Sequence, residues 1–224
     1  ALCAALPFAR VIFGGHVLYE RDIQAARWGQ LEAFARCLAA GSWPLWNPLD
    51  GLGRPMLANP GSQVLYPFTW LSLALAPPDY YDLYAFAHVL LAGLGAFGLA
   101  RRLGVSTGGG LLAGALFLLG GPLLSVTNLW QHLAGAAWVP WVLAAGDAAL
   151  ERPTVARTVA WGGGFALQLL TGSLDYVLLG GVAQAAFAFR HLGPPGERWR
   201  GTGPRIAAAA GAAALALGLS AAQW

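Results

Sequence analysis

The stretch YDLYAFAHVLLAGLGAFGLARR, residues 81–102, decides the fold class. Tyr81 to Leu99 is an apolar run that stops at the pair Arg101–Arg102. A run of this length is what a membrane-spanning helix needs, about 20 predominantly apolar residues. Similar runs recur downstream, separated by short polar breaks. They predict spans at Gly109–Val126, Leu133–Leu150, Val155–Leu170, Leu174–Phe189 and from Ile206 onward. Upstream, Leu2–Leu18 reads as a further span, with Arg10 and His16 inside it. The fold class is therefore all-α: a polytopic membrane helix bundle of about seven spans.

Composition agrees. The chain has 224 residues, 57% hydrophobic and 10% charged, against about 25% charged in a soluble domain. Alternating ten-residue segments, the mark of a membrane β-barrel, are absent. All thirteen basic residues are Arg, and the net charge is +3. This charge lies beside apolar runs, so it reads as membrane topology and excludes nucleic acid as a partner. The two cysteines, Cys3 and Cys37, make no disulfide framework.

Charge placement sets the expected orientation. Arg101, Arg102, Arg152, Arg157, Arg190, Arg198, Arg200 and Arg205, eight of the thirteen, fall at helix ends expected to face the cytoplasm under the positive-inside tendency. Trp and Tyr gather at the opposite, outer ends. Between Glu20 and Arg54 charge is balanced, with four Arg and four acids.

The segment from Glu20 to Pro67 is the long polar island of an otherwise apolar chain. Asp22 to Ala40 predicts an amphipathic helix lying on the membrane: Ile23, Ala26, Leu31, Phe34, Cys37 and Leu38 share one arc. Arg27 and Gln30 fall inside that arc and spoil it. Ser42 to Ser62, rich in Pro and Gly, reads as loop. Gln63 to Ala76 is too short to cross and contains Pro67, so an interfacial or re-entrant helix is expected there.

Several polar groups could carry chemistry. Glu20 and Asp22 stand where the first span leaves the outer face. Carboxylates there serve as a general base or ligate a divalent cation, or are ordinary solvated acids, with Asp22 as a helix N-cap. Arg21, Arg27 and Arg54 could bind a phosphate or snorkel to lipid headgroups. Trp43 and Trp46 could stack on a sugar ring or anchor the interface. Asn59, Gln63, Asn128, Gln131 and His132 lie at outer helix ends, and Gln168 and Asp175 within or beside a span. No cofactor is fixed by the sequence.

The order Trp46-Asn47-Pro48, Gly53-Arg54-Pro55, Asn59, Ser62-Gln63 and Tyr66-Pro67, set after an acid at the exit of the first span, resembles the bacterial YfhO-type membrane proteins. These are relatives of the GT-C glycosyltransferases. The resemblance covers most of the chain and implies the N-terminal part of a longer membrane protein, one transmembrane domain over residues 1–224. It implies a site at the outer face of the cytoplasmic (inner) membrane, where a sugar passes from a polyprenyl-phosphate donor to an envelope glycan, lipid or protein acceptor. The catalytic acid would be Asp22, with Glu20 beside it; Arg21, Arg54, Trp46, Asn59, Gln63, Asn128 and His132 would bind substrate. A transporter or flippase of a lipid-linked substrate, and a non-catalytic envelope scaffold, are the alternatives.

Overall fold

The computed structural model describes residues 2–18, 22–191 and 202–224. Glu20 and Arg21 lie outside the described residues, as do Arg198 and Arg200. The helices are α1 (Leu2–Ala5), α2 (Ala9–Gly14), α3 (Gly29–Ala39), α4 (Pro77–Arg102), α5 (Thr107–Leu118), α6 (Gly121–Leu124), α7 (Trp130–Glu151), α8 (Val155–Leu170), α9 (Leu174–Ala188) and α10 (Thr202–Ser220). A π-helical turn, Ile23–Trp28, runs directly into α3. A short hairpin pairs β1 (Trp46–Asn47) with β2 (Arg54–Pro55), Trp46 opposite Pro55 and Asn47 opposite Arg54.

Among the described residues, four helices are long and apolar enough to cross a membrane: Pro77–Arg102, Thr107–Leu124, Trp130–Glu151 and Thr202–Gln223. α8 and α9 have 16 and 15 residues, short of the ~20 a full crossing takes. The expected first span is broken. Pro7 has no backbone N–H and its ring collides with the preceding turn, so Leu2–Leu18 forms helices of four and six residues and then runs as irregular chain to Leu18. Leu18 N–H donates to the Asp82 carboxylate at 2.8 Å, which ties the exit of this segment to the second turn of α4.

α7 is the centre of the bundle. Two-thirds of its apolar window (67%) is buried, against 22% for Thr107–Leu124. It packs on α4, α8 and α9; α5 packs on the other side of α4, and α10 on α8. Small residues permit these approaches, as membrane helices require. At the α4–α5 crossing a Cβ on Gly114 would lie 2.8 Å from the Gly93 carbonyl oxygen, so any side chain there would push the helices apart. Pro140 sits inside α7, yet the helix continues to Glu151.

The bundle has two unlike ends. At one, Asp147 of α7 is ion-paired with Arg102 (2.7 Å) and Arg190 (3.2 Å), and His191 Nε2 lies within hydrogen-bond distance of it at 2.9 Å. Arg205 closes this end, donating to the carbonyls of Leu150 (3.0 Å) and His191 (2.6 Å). At the other end the long polar segment folds back over the ends of α4, α7, α8 and α10.

Candidate functional site

The polar segment is a built structure and not a flexible lid. Its keystone is Arg27. Ile23, Arg27, Leu31 and Phe34 are all buried and recur at helical spacing. Arg27 therefore lies on the inward face, and its side chain is 0% exposed. Its guanidinium donates to the Ser62 carbonyl (3.0 Å), Gln63 Oε1 (3.1 Å), Thr69 Oγ1 (3.2 Å) and the Tyr80 hydroxyl (3.3 Å). It also lies over the Trp130 ring at 5.6 Å. The residue that spoils the apolar arc in the sequence is thus the one that gathers loop and bundle.

The same network continues into the helices. Gln63, itself at φ 53, donates from Nε2 to the Thr171 carbonyl at 2.7 Å. The Tyr84 hydroxyl lies 3.2 Å from Gln63 Oε1 and 3.0 Å from the Trp130 carbonyl. Trp130 Nε1 donates to the Gly61 carbonyl at 3.0 Å, and Gln223 Nε2 to the Leu170 carbonyl at 3.1 Å. His88 Nδ1 faces the Tyr84 carbonyl at 2.7 Å, which can only accept; in the neutral ring Nε2 then accepts from the Tyr66 hydroxyl at 2.6 Å. Trp138 Nε1 donates to the same Tyr66 oxygen at 3.0 Å. Burial pushes the Tyr66 phenol above its ordinary range.

The apolar face of the π-turn and α3, Ile23, Leu31 and Phe34, is covered by protein. Ala33 and Phe34 pack against Met56 and Val64 of the loop, with Leu38 and Leu65 alongside. The segment Pro67–Leu73 is a 3₁₀ helix of seven residues, whose length of ~14 Å is about half the apolar thickness of a bilayer.

On the outward side of the same helix lies an open polar pocket of about 440 Å³. Ala25, Ala26 and Gly29 form a nearly flush wall, with Gln30 and Glu32 at its end; the hairpin supplies Asn47, Asp50 and Arg54 opposite. Arg54 stands 3.5 Å from Asp50, both partly exposed, and Glu32 pairs with Arg36 at 2.5 Å. Gln30 Oε1 is buried without a hydrogen-bond partner. The hairpin tip beside the pocket carries exposed Leu49 and Leu52. The pocket therefore offers carboxylate acceptors and a guanidinium donor under an apolar rim, a combination suited to a hydroxyl-rich or anionic group on an apolar tail.

Of the residues singled out in the sequence, Asp22, Trp46, Asn59, Asn128 and His132 are neither among those lining the pocket nor bonded to Arg27. Arg54 lines the pocket. Trp46, half-exposed on β1, pairs with Pro55 at the hairpin's base. Asp22 is half-buried and precedes Ala25 and Ala26 by one turn; it makes no capping hydrogen bond, so the N-cap reading fails. Asn59 is spent on a turn, its Oδ1 accepting from Gly61 N at 3.0 Å, and Gln63 on the Arg27 network. His132 pairs with Asp175 at 3.5 Å between α7 and α9. Asn128 is half-buried in the turn before α7. The pocket also takes Glu32, Asp50, Asn47 and Gln30, of which Gln30 carries a sequence signal, its place with Arg27 inside the apolar arc. Among the described residues, no cluster of three His, Cys, Asp or Glu is placed to hold a metal ion.

This fold and site define a helical membrane protein with a structured polar cap. No known protein family, curated protein or solved structure matches the chain.

Proposed function

We infer that this chain is part of a multi-pass protein of the bacterial inner membrane that transfers a sugar from a polyprenyl-phosphate donor to a cell-envelope acceptor. The observation that carries the reading is the pocket between the π-turn–α3 helix and the hairpin, where Glu32, Asp50 and Arg54 meet. Arg54 offers N–H donors to the donor's phosphate oxygens, and Glu32 and Asp50 accept from sugar hydroxyls. The exposed leucines of the hairpin tip lie along the path of the polyprenyl chain. Asp22, one turn before the Ala25–Ala26 wall, is the general base. It takes the acceptor's hydroxyl proton; the acceptor oxygen attacks the anomeric carbon; the carbon–oxygen bond to phosphate breaks, and polyprenyl phosphate leaves with the electron pair.

Purified protein in proteoliposomes, given a panel of radiolabelled polyprenyl-phosphate sugars and an envelope lipid extract, tests this. Labelled acceptor should form and fall at least tenfold in Asp22→Asn and in Asp50→Asn. Full transfer by both variants removes the assignment. Movement of intact donor across the bilayer without bond cleavage identifies a transporter.

A further inference from the structure

A second cavity, of about 180 Å³, lies within the bundle between α7, α8, α9 and α10, far in sequence from the polar cap. Its walls are Val142, Trp161, Phe165 and Ala212, and among its lining residues there is no charged side chain. Two amides interrupt this apolar lining. Gln168 is 1% exposed, and its Nε2 donates to the carbonyls of Gly135 (3.2 Å) and Tyr176 (3.3 Å). Those carbonyls can only accept, so the nitrogen is fixed toward them and Oε1 is turned away; Oε1 is buried without a hydrogen-bond partner. Gln184 has both amide atoms buried and unpartnered. It lies against Gly146, where a Cβ would fall 2.3 Å from its Oε1.

Buried amide atoms in a bundle surrounded by hydrocarbon are costly unless they are paired. Here two acceptors and one donor on residues that line one space are left unpaired. Gln184 lies one turn of α9 beyond Gly180, whose position borders Gln168, so the two polar points are roughly 5–6 Å apart along the helix. At the rim Gly181 is exposed, and Leu178 and Val182 beside it are exposed on the same flank. The mouth therefore opens through the side of the bundle toward acyl chains.

We propose that this cavity binds the hydroxylated head of an uncharged membrane lipid of the acylglycerol class. One hydroxyl donates to Gln168 Oε1; a second donates to Gln184 Oε1 and accepts from Gln184 Nε2. Trp161 and Phe165 hold the first carbons of the chain. A phosphate or amine head is excluded because no counter-charge lines the space. A water-soluble polyol carries the same hydroxyl chemistry but has no aqueous entry on an apolar flank. The site stands apart from the pocket under the hairpin and does not depend on glycosyl transfer.

The test uses the full chain in phosphatidylcholine nanodiscs, with 1-monoolein as probe and methyl oleate, which has no hydroxyl, as control. Monoolein raises the melting temperature and methyl oleate does not. A diazirine-bearing monoacylglycerol labels residues 177–184 and 209–213. Gln184→Leu weakens labelling at least tenfold. Gly181→Phe, at a position with no neighbour within 4 Å of an added Cβ, blocks the mouth and has the same effect, so the outcome does not hang on one variant's folding. Equal shifts from the two lipids, or labelling retained in both variants, overturns the proposal. Competition by free glycerol at the same concentration as monoolein overturns the lipid source.

Discussion

Replacing Arg27 with Met should loosen the whole polar cap. The substitution keeps an unbranched, buried chain and removes the guanidinium. Four acceptors lose a donor: the Ser62 carbonyl, Gln63 Oε1, Thr69 Oγ1 and the Tyr80 oxygen. The two hydroxyls can turn and donate elsewhere, and Gln63 Oε1 keeps the Tyr84 hydroxyl at 3.2 Å. The Ser62 carbonyl is left unpaired, and the ring contact with Trp130 is lost. One fully orphaned acceptor and one half-satisfied one cost about 1–3 kcal/mol each. Relief of the guanidinium's own desolvation offsets part of that. A net loss of about 3 kcal/mol corresponds to a fall of roughly 6–12 °C in melting temperature for a chain of this size. Tryptophan fluorescence in detergent micelles reads it, because Trp130 lies in the network. Arg27→Lys should recover less than half, since an ammonium has no planar fork to span Ser62 and Gln63. Arg36→Met, which breaks only the exposed pair with Glu32, should shift melting by little. An Arg27→Met melting temperature equal to that of Arg36→Met would refute the reasoning.

Three further outcomes follow from particular contacts. Gly172 has φ 78, and a Cβ there would meet the Pro60 carbonyl oxygen at 2.4 Å; Gly172→Ala should destabilise by about 3 kcal/mol from backbone strain and overpacking combined, measured by the same melting assay. Tyr66 has a phenol pKa raised in the fold, so stability is fully present below the unfolded tyrosine value and lost as pH rises above roughly 10. Alkaline unfolding monitored by near-ultraviolet dichroism should show this loss, and Tyr66→Phe should make it shallower. In a background lacking Cys3 and Cys37, a cysteine at position 42 should react with an impermeant maleimide from outside the cell and one at position 202 should not. Equal reaction of both from outside would overturn the proposed topology.

The broad class was legible because it rests on run length and composition: α4, α7 and α10 stand where apolar runs stop at Arg or polar breaks. The first segment misled because an apolar run carries no record of its breaks, and Pro7 divides it. The runs of α8 and α9 read as spans in the sequence, and the helices they form have 16 and 15 residues, with the Gly172 turn between them. Arg27 shows the opposite limit. Its position inside an apolar arc was visible, but what it bonds lies 35 to 53 residues away and is set by tertiary folding. The Asp147 cluster was invisible for the same reason, since its partners come from two separate segments, the end of α4 and the chain after α9. The pocket carboxylates Glu32 and Asp50 looked like surface acids, and only the antiparallel pairing of β1 with β2 brings Asp50 across from Glu32.

The most direct measurement of the central claim is a photo-crosslinking map with a diazirine-bearing polyprenyl-phosphate mannose in proteoliposomes. The account predicts adducts on residues 25–32 and 47–54, lost at least fivefold in Arg54→Gln and competed by unlabelled polyprenyl phosphate. Adducts spread along the lipid-facing helices, or unchanged in Arg54→Gln, would contradict it.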